Sequence, residues 1–304
     1  MNYIKYLRIL KSPKELGIRI LRYTSKCWND KLYIKMKYWV CTGKFLNLRN
    51  PRTFWDKLNW MKLNYRRDDL WRYVDKYEVK QLVSDLIGEE HIVKTIGVFN
   101  SFDEIDFSVL PERFVMKCTH DSGSYIICKD KSKLNIKQAR NKIEKGLRRN
   151  YFYNSREYPY KSLVPRIIVE EYLDDSGTDA LTDYKFFCFN GEPKIMYVSN
   201  DASKNAHTDF FDMNYEHLDL RIKDPNSEIP PEKPHLFEEM KNLAGLLCTG
   251  FPHVRIDFYV VNNNIYLGEF TFFHNGGNSL LHPTKWNEIW GQWIDLPEKV
   301  NPYK

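Results

Sequence analysis

Apolar and polar residues alternate through Val254, Ile256, Phe258 and Val260, stop at Asn262-Asn263-Asn264 and resume at Ile265. This period of two, broken by Asn, predicts a strand, a tight turn and a returning strand, because Asn tolerates the positive φ of short hairpin loops. DYKFFCFNGEPKIMYVSND predicts a second hairpin around Asn190-Gly191, the preferred pair for a type I′ turn. RFVMKC, YIICK, RIIVEEYL, the short apolar segment HIVKTIGVF and the residues around Phe210-Phe211 read as further strands. A helical period appears in Phe54, Leu58 and Met61 behind a Thr53 cap, and again from Asp75 to Ile87, ending at Gly88. It recurs in a basic helix over 134–149 (Ile136, Ala139, Ile143 and Leu147 on one face), from Leu236 to Cys248, and in KWNEIWGQWI. Residues 1–70 read as helices interrupted at Ser12-Pro13, Gly43 and Asn50-Pro51. No βαβ pattern appears, so the fold class is α+β with mainly antiparallel strands in two groups.

Composition narrows this picture. With 42% hydrophobic and 15% aromatic residues in 304, the chain lies outside the disordered range and can bury a large core. The six cysteines form no CxxC pair or metal-ligand spacing, and several sit in apolar strand patterns. That predicts small buried hydrophobes in a reducing cytoplasm, not a disulfide framework. No stretch approaches 18 uncharged apolar residues and no signal-peptide core is present, so a soluble, cytoplasmic protein is expected.

Charge is uneven. Residues 1–50 carry twelve Lys and Arg against Glu15 and Asp30, a net of +10, while the whole chain is +6 and residues 51–304 are therefore −4. A basic arm rich in Ile, Leu, Tyr and Trp, as in YIKYLRIL and ELGIRILRY, suits peripheral contact with an anionic membrane at its inner face. The competing reading is a solvated helical cap with no partner. Nucleic acid is not expected, since no zinc-finger, homeodomain or RNP signature accompanies the charge.

Three stretches bear on chemistry. Asp257 and Glu269 share strands with bulky hydrophobes, where an unpaired charge costs several kcal/mol. Mg²⁺ is one compensating partner; pairing with Arg255, or exposure to water, is another. THDSGSYIICKD sets a Gly- and Ser-bearing turn between two strands, with Lys117 just before it. Such a turn either cradles a phosphate with backbone N–H groups or is simply a hairpin turn. The aromatic stretch YFYNSREYPY reads as a lid or as part of a substrate wall.

The order of these motifs resembles the ATP-grasp superfamily, and most of all its TupA-like branch, linked with teichuronopeptide and other polysaccharide biosynthesis and sometimes labelled glycosyltransferase. The resemblance spans about residues 50–295. It implies two α+β subdomains with ATP between them, behind the basic helical arm. Residues 1–70 would be that arm, 71–165 the first subdomain with the phosphate loop, and 166–304 the second with the Mg²⁺-binding hairpin. Lys76 and Lys117 resemble the family's phosphate lysines, and the turn His120–Tyr125, with Ser122, Gly123 and Ser124, its closing loop. Glu170 resembles the acid near the adenine amino group, with the backbone of Glu171, Tyr172 and Leu173 along the purine edge. Asp183 resembles the ribose acid, and Lys185 a phosphate contact. Asp257 and Glu269 resemble the Mg²⁺ ligands, and Arg255 the arginine that stabilises a tetrahedral oxyanion. The chain departs from the pattern at Thr271, where many members carry Asn; Asn275 is the alternative ligand.

The resemblance implies an ATP- and Mg²⁺-dependent carboxylate–amine ligase working through an acyl phosphate, with a glycan carboxylate and an amine as substrates. The alternatives are a glycosyltransferase using a nucleotide sugar, disfavoured by the lack of a DxD triplet after a nucleotide-binding unit, and a non-catalytic scaffold. His120 and His274 fall in turns beside the expected site.

Overall fold

A computed structural model describes residues 12–174, 181–200 and 206–300. Helices α1 (Pro13–Tyr23), α2 (Asp30–Thr42) and α3 (Phe54–Asn64) come first, then two short ones, α4 (Trp71–Val74) and α5 (Glu78–Ile87). Four strands, β1 (Thr95–Phe99), β2 (Phe114–Cys118), β3 (Tyr125–Cys128) and β4 (Ile167–Glu171), form an antiparallel sheet in the order β1-β4-β2-β3. Between β3 and β4 lie α6 (Ile136–Leu147) and α7 (Phe152–Ser155). The second sheet has six strands in the order β10-β9-β5-β6-β7-β8, built from β5 (Asp183–Phe189), β6 (Glu192–Asn200), β7 (His207–Asp212), β8 (His217–Leu218), β9 (His253–Val261) and β10 (Asn264–Thr271). Helices α8 (Phe237–Leu247) and α9 (Lys285–Gln292) complete the α+β fold.

Strand parity explains how each sheet splits its faces. In β2, Phe114, Met116 and Cys118 are buried with Ala139 and Ile143 of α6, while Val115 and Lys117 point the other way. In β5 and β9, Phe186, Cys188, Val254, Ile256 and Phe258 form one buried face, and the Phe186 ring meets Phe237 of α8 at 6.1 Å. The other face changes character along its length. Asp183, Lys185, Asp257 and Tyr259 occupy one end, and Phe187, Phe189 and His253 the other. Phe54 of α3 and Trp290 of α9 seal that aromatic end, 5.0 Å apart and edge-on. Both hairpin turns form as expected, with positive φ at Asn190, Gly191, Asn262 and Asn263.

Several expected boundaries move. β4 pairs with β1 and β2, so the chain leaves the first sheet after Glu171, and a division at 165 would separate β4 from its partners. α3 belongs to the main core rather than to a separate arm over 1–70, because Phe54, Trp55 and Leu58 are completely buried in it. The helix expected from Asp75 begins at Glu78, since the Asp75 carboxylate accepts from the Tyr77 and Glu78 amides and interrupts the turn. The YIKYLRIL stretch lies outside the described residues.

Candidate active site

A cleft of about 450 Å³ runs between the polar faces of the two sheets. On the small-sheet side, Lys117 of β2 and Glu170 of β4 share a face, and Lys117 Nζ lies 2.7 Å from Glu170 Oε2. Lys80 of α5 reaches the other carboxylate oxygen at 2.5 Å. Burial alone would raise the Glu170 pKa, but Lys117 and Lys80 outweigh it and hold the acid below its usual value. Lys76 joins them from the turn before α5. Its amide donates to the Thr119 carbonyl at 3.0 Å and its ammonium to the Asp121 carbonyl. Burial lowers the Lys76 pKa, against the pull of Glu269 and Asp121.

The turn between β2 and β3 is tied at both ends. Cys118 N donates to the Ser124 carbonyl at 2.9 Å, and Ser124 Oγ donates to Asp121 Oδ2 at 2.6 Å. Ser122, Gly123 and Ser124 line the cleft. α6 lies flush beneath the turn because residue 146 is Gly, where a Cβ would come within 2.6 Å of Ser124 Cβ. His120 points away from the cleft, its Nε2 hydrogen-bonded to the carbonyls of Gly146 (3.2 Å) and Arg149 (3.1 Å). It anchors the turn and does not line the cleft.

At the far end, Ile92, Val93, Leu181 and Leu267 form an apolar slot closed by Glu171, Tyr172 and Leu173. Glu170, expected beside the adenine, instead has both carboxylate oxygens on lysines.

The large sheet contributes a denser cluster. Lys185 stands opposite Asp257, Asp257 opposite Glu269, and Arg255 opposite Thr271. A bulge at Gly268 makes the second pairing possible, and its missing side chain matters: a Cβ would lie 3.2 Å from the Asp257 carbonyl. Arg255 grips Asp257 through Nε (2.6 Å) and NH2 (2.7 Å), while Lys185 approaches Asp257 Oδ2 at 2.8 Å and Asp183 Oδ1 at 3.0 Å. Arg255 also reaches Glu269 Oε1 (3.1 Å), Thr271 Oγ1 (3.0 Å) and His274 Nδ1 (2.5 Å). Burial would raise the Asp257 pKa, but Arg255 and Lys185 reverse it and hold the carboxyl low. Burial raises the Asp183 pKa, opposed by Lys185. His274 is driven well below its usual range by burial and by Arg255, so its neutral ring accepts from the guanidinium.

The expected metal ligands divide. Asp257 and Glu269 face each other, and Glu269 is exposed, with Oε2 making no hydrogen bond among the described residues. Thr271 donates to Glu269 Oε1 at 2.9 Å and accepts from Arg255, so its hydroxyl is a link within the cluster. Asn275 does not join them. It is exposed, outside the cleft lining, and its amide faces His274 Nε2 at 3.1 Å. Among the described residues no group of three or more His, Cys, Asp or Glu could hold a metal ion. Asp257 and Glu269 themselves offer carboxylate oxygens, the donor type that Mg²⁺ takes.

Some site residues escaped the sequence reading. Lys80 lies on α5 and Lys76 in the turn before it, so helical spacing does not relate them; only the fold brings both to the cleft. Asn59 and Lys62 of α3 had no local signal. Asn59 Nδ2 donates to the Gly277 carbonyl at 2.8 Å and Lys62 to that of Gly276, so together they hold the turn carrying His274. Burial brings the Lys62 pKa down to about 7, against the pull of Glu157. The 151–160 stretch is a wall, not a lid: Arg156 is buried, pairs with Asp30 at 2.9 Å and stacks on Tyr33. Tyr160 from this wall lines the cleft.

Lysines from one side of this cleft facing acids on the other is the layout of an ATP-grasp protein. The TupA-like ATP-grasp family profile matches residues 56–295, and the chain belongs to that family. No curated protein matches it. Among solved structures, a D-alanine–D-alanine ligase from Bacillus anthracis is similar at 18% identity and TM-score 0.41, covering 66% of this chain and 56% of that one. The corresponding ligase from Helicobacter pylori gives 14% identity and TM-score 0.38, covering 74% and 59%. The ATP-grasp ligase PsnB, complexed with a minimal precursor, gives 11% and 0.36, covering 71% and 59%. The chain thus spans less than two thirds of the length of these proteins.

Proposed function

We propose that this protein is an ATP- and Mg²⁺-dependent carboxylate–amine ligase that works through an acyl phosphate. It would join an amino acid or other amine to a uronic acid or other carboxylate of a cell-surface polysaccharide or its precursor. One observation carries this reading. Lys76, Lys80 and Lys117 face Asp257 and Glu269, with Arg255 buried against the two acids, across a single cleft that also holds an apolar slot.

The chain's residues divide the work. The three lysines bind and align the phosphates, and Glu170 positions Lys80 and Lys117. The apolar slot takes the base, the backbone of Glu171 to Leu173 follows its edge, and Asp183 receives the ribose hydroxyls. Asp257 and Glu269 would hold Mg²⁺, which would supply charge neutralisation on the transferring phosphoryl group. A carboxylate oxygen of the acid attacks the γ-phosphorus, the bond to the β-phosphate oxygen breaks, and ADP leaves. The amine then attacks the acyl carbon, inorganic phosphate departs, and the amine gives up a proton. Arg255, fixed by His274 and Thr271, would stabilise the tetrahedral oxyanion. The 120–125 turn and the 151–160 wall keep water from the acyl phosphate.

The polysaccharide acceptor follows from the family resemblance, and a lysine-lined cleft suits an acidic substrate. The test uses full-length protein with ATP, Mg²⁺, amino acids and uronic-acid glycans. Release of ADP and phosphate matched by a new amide supports the ligase. Consumption of a nucleotide sugar without ATP turnover would make it a glycosyltransferase, and failure to bind ATP–Mg²⁺ would overturn the reading altogether.

A further inference from the structure

α1 and α2 turn apolar side chains outward where a helix of a water-soluble domain buries them. On α1, Leu16, Ile20 and Tyr23 repeat at helical spacing and form one stripe, with Ile20 54% and Tyr23 93% exposed. The adjoining stripe, Gly17 and Leu21, does the packing. A Cβ at Gly17 would lie 3.0 Å from Val40 Cγ1 of α2, so the helices meet closely there, and Leu21 is buried. On α2, Leu32 and Trp39 are exposed two turns apart, and the Trp39 ring stacks on Phe45, itself 84% exposed, with centroids 6.5 Å apart.

Charge says what such a surface fits. Lys14, Arg19, Arg22, Lys26, Lys31, Lys35 and Lys44 are exposed around these side chains, and none is in an ion pair among the described residues. The acids do not balance them. Asp30 is turned inward to Arg66 (2.8 Å) and Arg156 (2.9 Å), leaving Glu15 at the start of α1. An apolar stripe ringed by unpaired cations matches an anionic lipid surface, where rings and aliphatic chains enter the headgroup boundary and lysines meet the phosphates. A second copy of this chain would bring the same positive charge against it and be repelled.

We propose that α1 and α2 form a peripheral docking surface for anionic membranes, through Leu16, Ile20, Tyr23, Leu32, Trp39 and Phe45. This surface is independent of the ligase reading. No helix among the described residues is long and apolar enough to cross a membrane, so the contact lies in the interface.

Full-length protein is sedimented with vesicles of phosphatidylglycerol in phosphatidylcholine, and with phosphatidylcholine alone. The expected result is binding to the anionic vesicles only, weakened by added salt as the Debye length shrinks. Leu16→Ser, Ile20→Ser and Tyr23→Ser together should weaken binding by about tenfold or more, and Lys31→Glu with Lys35→Glu by about tenfold. An unchanged near-UV circular dichroism spectrum shows that each variant is folded. No binding to anionic vesicles, or binding that both variant sets leave unchanged, overturns the proposal. A dimer in sedimentation velocity that the serine variant dissociates, without vesicle binding, assigns the stripe to a second copy instead.

Discussion

The two walls of the cleft solve different problems with the same kinds of side chain. On the small sheet, two lysines share one glutamate and a third leans on a backbone carbonyl, so positive charge is in excess and partly open to solvent. On the large sheet, Arg255, Lys185, Asp257, Glu269 and Thr271 are locked by strand register into a web in which Asp257 is almost completely buried. The first wall can change partners cheaply, which suits binding and release of an anion. The second cannot, because each lost partner strands a buried charge. Positioning chemistry on the rigid wall and capture on the adaptable one is the lesson of the difference.

Asp257→Asn tests the rigid wall most severely. It leaves Arg255 and Lys185 without their shared partner, and should lower ATP turnover on the order of 10³-fold. Urea unfolding of the same variant should show a loss of about 3 kcal/mol. A variant that unfolds like the wild type would dissolve the contrast between the walls. On the adaptable wall, Lys117→Ala should weaken nucleotide binding by about 10- to 100-fold, the worth of one charge-assisted contact. Its stability should change by less than about 1 kcal/mol, because Lys117 is partly exposed and Lys80 stays with Glu170. Calorimetric titration with ATP and a melt of the same sample check both.

The smallest effect concerns His253 beneath the large sheet. Its Nδ1 lies 2.9 Å from the Cys188 carbonyl, and burial pushes its pKa down to about 3. Below its ordinary value of about 6.5 the unfolded chain takes up a proton that the folded one refuses. Stability is therefore full above that value and falls with pH toward about 3, with a slope approaching about 1.4 kcal/mol per pH unit. Between pH about 7.5 and 5 the wild type should lose roughly 1–2 kcal/mol. His253→Phe should lower that slope, leaving the share of His274, which burial also holds low; identical slopes in denaturant titrations would remove His253 as a source.

Local pattern made much of this legible. Asp257 and Glu269 could be placed on one hairpin because alternation and Asn262-Asn263 fix strand and turn within a few residues. Lys117 and its turn were readable for the same reason. Pairing between distant segments was not. RIIVEEYL reads as a strand, but nothing local states that it lies between β1 and β2, so the grip of Lys80 and Lys117 on Glu170 stayed hidden. Asn59 and Lys62 looked like ordinary polar positions of an amphipathic helix; only the packing of α3 brings them to Gly276 and Gly277. The loss of Asn275 from the cluster has a similar origin, since its positive φ turns its side chain toward His274.

The bulge at Gly268 makes strand register, as much as composition, a carrier of information here. Before it, Leu267 stands opposite Phe258; after it, Glu269 stands opposite Asp257. Were Gly268 paired in regular register instead, it would oppose Asp257, leaving Glu269 opposite Ile256 on the buried face and Phe270 opposite Arg255. Every side chain would still be present, yet the acid and its counterpart would lie on opposite sides of the sheet. Between Leu267 and Glu269 the backbone's departure from regular pairing decides which face of the sheet the acid occupies.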